Sequence, residues 1–244
     1  MNRMFFGDAR DLFKFDLVRH IMKAFPDLVS FTFVPMLTEE ESLTGKRKTA
    51  TKDLGLAQKN GRAGSKNREL MEELGRLQEI DDDLGYFHGI QSYFQKENIM
   101  VDVLHRDTFS HERRVNYFEK VFANFPANSL IFLDPDTGLE VKKPTRRHLL
   151  YDEVKKIFDR MDHQSVMMIY QHLPRVTREG YIKKRCRELA TLTHSRPETI
   201  TDNEIVFFIL TKNPRHKTRL WAVLGDYADK YNTLIACDCG AKNN

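Results

Sequence analysis

At 244 residues, with 41% apolar and 30% charged residues and a net charge of +4, the chain has globular proportions, which exclude a fibrous repeat and wholesale disorder. Its length suffices for one well-buried core, so a single α/β domain over residues 1–244 is the expectation. No stretch approaches the roughly 18–20 uncharged apolar residues that span a bilayer, and the three cysteines, Cys186, Cys237 and Cys239, are too few for a disulfide scaffold.

Cys237-Asp-Cys239 has no matching second pair of thiols, so no metal site is expected there. The N-terminal residues meet charge at Arg3 and lack the long apolar core of a secretion signal, which predicts a cytoplasmic protein without a membrane partner. The mildly basic balance permits a polyanionic partner without demanding one.

Asp8 or Asp11 opens an N-terminal helix in which Leu12, Phe15, Val18, Ile21, Met22 and Phe25 recur at helical spacing. Residues 28–34 are rich in β-branched and aromatic side chains and stop at Pro35, which marks a buried strand. From 44 to 68 the texture changes. Lys46, Arg47, Lys48, Lys52, Lys59, Arg62, Lys66 and Arg68 are interleaved with Gly45, Gly55, Gly61 and Gly64, and Asp53 is the only acid. This basic, glycine-containing insertion reads as a solvated loop, or as one that orders on phosphates. On the second reading Lys46, Arg47, Lys48, Lys52, Lys59 and Arg62 are the candidate nucleic-acid contacts.

A helical rhythm resumes over 69–96 through Leu70, Leu74, Leu77, Ile80, Leu84, Phe87, Ile90 and Phe94, with a break near Gly85 or Gly89. Residues 99–104 read as a strand, and Ser110 caps a helix striped by Val115, Phe118, Val121, Phe122 and Phe125. A strand at 130–133, a helix over 146–161, a strand at 166–170 and a helix over 177–192 follow. The runs 204–210 and 219–224, joined through Asn213 and Pro214, close the chain as an antiparallel pair. Such an order describes a three-layer, Rossmann-like α/β fold with a mostly parallel sheet, helices on both faces and a C-terminal antiparallel edge hairpin.

Ligands of such sheets sit outside the carboxyl ends of the strands. The polar residues there are Thr38 with Glu39, Glu40 and Glu41; His105, Arg106 and Asp107; Asp134, Asp136 and Thr137; and Gln171 with His172. Asp134 directly follows four apolar strand residues, and Pro135 fixes the next φ. Two acids flanking a proline there repel unless a cation, donor or substrate uses them. The alternative is a plain turn in which Asp136 and Gly138 supply the turn chemistry. Asp107 reads either as a ligand contact or as a cap or ion-pair partner of Arg106 or Arg113.

With these residues in view the chain resembles the class I S-adenosylmethionine methyltransferase superfamily, and most closely the bacterial 23S ribosomal RNA adenine-N6 methyltransferases of the RlmJ type. The likeness runs from Val101 to about Tyr170: a strand ending His105-Arg-Asp107, a helix, a strand ending Asp134-Pro135, a helix and an aromatic-containing strand. Ala9-Arg-Asp-Leu-Phe-Lys-Phe-Asp16 also resembles that family's N-terminal helix.

The resemblance implies S-adenosylmethionine as cofactor. It sets Asp107 at the cofactor adenine, Lys14 near the methionyl end, Thr38 at the cofactor rim, and Asp134, followed by Asp136, as the acid that accepts from a target amino group. The family's glycine-rich turn after the first strand is replaced by Pro35-Met-Leu-Thr-Glu-Glu-Glu41, and the second proline and the tyrosine of its catalytic motif by Asp136 and Thr137.

Three functions follow as expectations. The first is methyl transfer to a base amino group of nucleic acid. The second is Mg-dependent phosphoester cleavage through Asp134, Asp136 and Glu140. The third is nucleic-acid binding by a catalytically inactive derivative.

Overall fold

The computed structural model describes residues 1–38, 53–80, 82–104 and 106–239. In chain order the helices are α1 (Ala9–Ala24), α2 (Leu54–Lys59), α3 (Arg68–Leu77), α4 (Asp83–Lys96), α5 (Arg114–Ala123), α6 (Tyr151–Arg160), α7 (Arg178–Thr193) and α8 (Pro214–Ala228). The strands are β1 (Ser30–Val34), β2 (Met100–Val103), β3 (Ser129–Leu133), β4 (Gly138–Leu139), β5 (His148–Leu149), β6 (Val166–His172), β7 (Glu198–Thr201), β8 (Ile205–Thr211) and β9 (Ile235–Asp238).

A seven-stranded sheet runs β2-β1-β3-β6-β8-β7-β9, and β4 pairs with β5 apart from it. β2, β1, β3 and β6 are parallel, with Phe33 opposite both Val103 and Phe132. β8 is antiparallel to β6 and to β7, and β9 is antiparallel to β7. The fold is thus α/β and Rossmann-like. Its reversed strand β8 lies between two forward strands, and β9 takes the edge.

The alternation of side chains along each strand divides the core. Phe31, Phe33, Phe132, Met168 and Phe207 face α1, α3, α4 and α8. Ile131, Leu133, Met167, Ile169 and Phe208 face α5, α6 and α7. Each buried aromatic or aliphatic side chain contributes roughly 1.5–3 kcal/mol through the area it removes from water.

The C-terminal hairpin is built from other runs than the sequence suggests. Residues 219–224 belong to α8, not to a strand. Asn213 accepts from the Arg215 N–H, and Pro214 occupies the first turn, where its missing donor costs nothing. Leu220, Val223, Leu224 and Tyr227 then recur on one buried face while Trp221 points outward. The partner of β8 is β7, whose short Thr-Ile-Thr run carries little signal of its own. Asp202 closes that hairpin by accepting from Glu204 and Ile205.

Two helix boundaries also move. The helix expected from 146 starts at Tyr151, because His148 and Leu149 pair with β4. The break in the 69–96 rhythm falls between α3 and α4, before Gly85, where Asp82 accepts from the Gly85 N–H and starts α4. Gly89 stays helical because Leu77 packs where a Cβ would stand, 2.2 Å from a methyl carbon.

Of the basic insertion, residues 53–68 are described, and they are anchored by a few buried side chains while their basic residues stay at the surface. Leu54, Ala57 and Ala63 enter the first core cluster. The Cys186 and Cys239 sulfurs meet in a disulfide with Cα atoms 5.9 Å apart, and Cys237 stands exposed. Among the described residues no helix is long and apolar enough to cross a membrane.

Candidate functional site at the carboxyl rim of the sheet

Because β1, β2 and β3 are parallel, residues 35–38, 104, 106–109 and 134–138 leave the sheet at one rim. α1 brings a set of ionisable side chains beneath it. Lys14 donates to Asp11 Oδ1 at 3.0 Å and to Asp134 Oδ2 at 2.9 Å, with all three side chains buried. Its ammonium also stands 4.6 Å from the centre of the Tyr170 ring, a cation–π contact. Asp11 Oδ2 accepts from the Gly7 N–H and from the Tyr86 hydroxyl. Asp8 caps α1 through the Arg10 and Asp11 N–H groups.

The electrostatics follow from burial. Burial opposes the Lys14 charge, but Asp11 and Asp134 hold the ammonium above its ordinary range. Burial lifts Asp134 above the usual carboxylate range, with Lys14 working against the lift. Burial and the neighbouring Asp11 push Asp8 up to about 7. Two carboxylate oxygens, Asp8 Oδ2 and Asp134 Oδ1, are buried without a hydrogen-bond partner. The Asp134 carbonyl accepts from the Met1 nitrogen at 2.7 Å.

The fold therefore brings Lys14 and Asp134 together but sends the other candidates elsewhere. Thr38 is buried, pairs with Asn2 and donates to the Met1 carbonyl. Asp107 turns to solvent and lies 3.7 Å from Lys120. Asp136 receives the Arg147 guanidinium at 2.5 Å. Glu140 accepts from the Tyr151 N–H and caps α6. Asp134, Asp136 and Glu140 thus take three separate partners, and no group of three metal-ligating side chains occurs among the described residues. Lys59 ends α2, and Arg62 pairs with Glu204. Lys46, Arg47, Lys48, Lys52 and His105 lie outside the described residues.

The described residues after β1 do not fit the cofactor that the resemblance implies. In place of a glycine turn, Met36 holds a φ of +41° with its side chain buried, and Leu37 is buried beside it. The Met36 N–H donates to the Tyr117 hydroxyl and the Leu37 carbonyl accepts from Phe109. Side chains and hydrogen bonds fill the space where backbone would approach a nucleoside.

The open part of the rim lies on the other side of the Asp134 loop. A cleft of about 840 Å³ separates the start of α5 from residues 137–148. Its cationic lining is Arg113, Arg146 and Arg147, and Glu112, His111, His148 and Thr137 border it. Arg114 builds the wall from behind, binding Glu153 at 2.5 and 3.0 Å, the His148 carbonyl at 2.8 Å and His111 Nδ1 at 2.9 Å. Burial and the adjacent Arg147 depress the His148 pKa.

The loop itself is pinned from β6. Gln171 accepts from the Leu139 N–H and donates to the Thr137 and His172 carbonyls. Gly138 is required there: its φ is +127°, and a Cβ would meet the Gln171 amide at 2.4 Å.

Sequence reasoning passed over Arg146, Arg147, His111 and His148, and took Arg113 only as an ion-pair partner of Asp107. The signal was present in Lys142-Lys-Pro-Thr-Arg-Arg-His148, a second basic run, but helical periodicity absorbed it into the start of α6. Compared with known proteins, the chain matches no family model, no curated protein and no solved structure, so what identifies it is its own strand order and the chemistry of this rim.

Proposed function

We propose that this protein binds nucleic acid on a methyltransferase-like scaffold, with the phosphate backbone held across the cleft between α5 and residues 137–148. The observation that carries the reading is the pairing of a large cleft at the carboxyl ends of the strands with a lining of Arg113, Arg146 and Arg147. Guanidinium groups match phosphate oxygens in a fixed fork, and each phosphate they neutralise releases counterions. Asp134, buried under the loop and neutralised by Lys14, serves to shape the rim in this reading.

The test is fluorescence anisotropy with labelled single-stranded RNA and DNA at 50 and 200 mM salt. Affinity is expected to fall steeply with salt. The double variant Arg113→Ala, Arg146→Ala is expected to weaken binding at least tenfold and to reduce the salt slope by about one per lost contact. Binding that ignores both salt and the two substitutions would sink the proposal.

A further inference from the structure

On the opposite face of the sheet from the rim cleft, α1, the start of α3 and the end of α8 enclose a second cavity of about 370 Å³. Arg19 and His20 of α1, Lys66, Arg68 and Glu69 around the start of α3, and Lys230 after α8 line it. Asp16 fastens the three elements together. Its carboxylate accepts from the Asn67 amide at 2.8 Å, the Tyr227 hydroxyl at 2.8 Å and the Tyr231 hydroxyl at 3.1 Å. With both oxygens held by neutral donors, Asp16 is a structural clamp that also sets a carboxylate among these cations.

Of these cations only Arg19 has an ion-pair partner among the described residues. Arg19 is matched by Glu97 at 2.9 Å. Lys66 lies 5.6 Å from the Tyr231 ring centre. Lys230 lies 5.9 Å from that of Tyr227 and donates to His20 Nδ1 at 3.1 Å. His20 is therefore a neutral acceptor on that side, its other nitrogen donating to the Val223 carbonyl. Burial and Lys230 both lower its pKa. No carboxylate among the described residues forms an ion pair with Lys66, Arg68 or Lys230. The ten-residue helix α3 also directs its N-terminus, capped by Asn67, at the same cavity and adds positive potential.

Lys66, Arg68 and Lys230 have no ion-pair partner among the described residues and outnumber the Asp16 and Glu69 carboxylates that share the cavity, so an anion between them relieves their repulsion. The volume lies near the lower end of the range for small-molecule sites. It suits one compact phosphorylated group and not a duplex. The charge favours a dianionic phosphate monoester over the single charge of a phosphodiester. We propose that the α1–α3–α8 cavity binds a phosphate monoester, supplied either by a free mononucleotide or by the 5′ terminus of a nucleic acid. This inference stands apart from the rim reading, since other residues on the other face of the sheet carry it.

The experiment is isothermal titration of the full chain, in buffer free of phosphate and sulfate, with inorganic phosphate and with adenosine 5′-monophosphate. Matched 5′-phosphorylated and 5′-hydroxyl oligonucleotides form the second arm. Saturable binding of the mononucleotide is expected, weakened about tenfold by Lys66→Gln or Lys230→Gln and abolished by the triple variant with Arg68→Gln. Preference for the 5′-phosphorylated oligonucleotide, lost in the triple variant, supports the proposal with the terminal phosphate as the source. Equal oligonucleotide binding beside tight mononucleotide binding supports the free ligand.

No heat with phosphate or mononucleotide and no preference for the 5′-phosphate overturns the proposal, as does binding that survives the triple variant. The thermal midpoint of the triple variant separates fold from function. Without ligand it is expected to stay level or rise, because repulsion is removed. A fall of more than a few degrees would assign these cations to the fold and overturn the site.

Discussion

Two regions separated by a single loop use charge in opposite ways. Beneath the Asp134 loop, Asp8, Asp11, Lys14 and Asp134 are buried and tied to one another. Beyond it, Arg113, Arg146 and Arg147 line an open cleft. Desolvation makes the first region a matter of stability, since a buried charge without its partner costs several kcal/mol. Solvent screening makes the second a matter of binding, since exposed charges contribute little to folding. The carboxylate that looks most catalytic in the sequence belongs to the first region.

The sharpest way to break this contrast is Lys14→Met. It strands Asp11 and Asp134 without a counter-charge, and unfolding in urea is expected to report a loss of roughly 3–5 kcal/mol. A loss under 1 kcal/mol would mean that the cluster is hydrated and accessible, and the contrast would fail.

Asp8 gives the next effect. Its folded pKa of about 7 lies above its ordinary value of 3.8, so the folded state binds the extra proton between those limits. Stability is then greatest on the acid side and declines as pH rises through that window, by roughly 2 kcal/mol between pH 5 and 8. Asp8→Asn keeps a competent helix cap and removes the titration. Its stability, followed by thermal unfolding across the same range, is expected to lose that slope.

Gly138→Ala sits on the boundary between the two regions. The positive φ and the Gln171 amide together predict a loss of roughly 1–2 kcal/mol, with a displaced loop that also weakens oligonucleotide binding. Unchanged stability and affinity together would show that the loop is free to rearrange.

The smallest effect on folding is expected from Arg113→Ala, within about 0.5 kcal/mol of the parent. Its effect appears in the salt dependence of binding. If calorimetric scans instead showed a midpoint lower by many degrees, the cleft lining would have to be counted with the buried cluster.

Much of the architecture is legible in the chain. The aromatic run before Pro35 gives β1, Asp8 with the stripe from Leu12 to Phe25 gives α1, and the apolar run before Asp134 gives β3 and its exit at the rim. These segments are long or bounded by residues with local chemistry. Residues 219–224 misled because a short apolar run fits a strand and a helix face equally well. Packing against α1 decided for helix, and left β8 to pair with the shorter β7.

For the site, local sequence identified Asp134 as the singular residue, because a carboxylate at the end of an apolar strand is always conspicuous. It could not tell whether that carboxylate faces a ligand or a lysine. Lys14 stands 120 positions away, and only the docking of α1 on the sheet brings its ammonium within 2.9 Å.

The sequence by itself determined the class of fold, the rim on which polar groups gather and the basic character of the surface. Tertiary structure alone decided which charges are buried in pairs and which line a cleft. The reason is physical: periodicity and capping are local, whereas desolvation depends on everything that packs around a group.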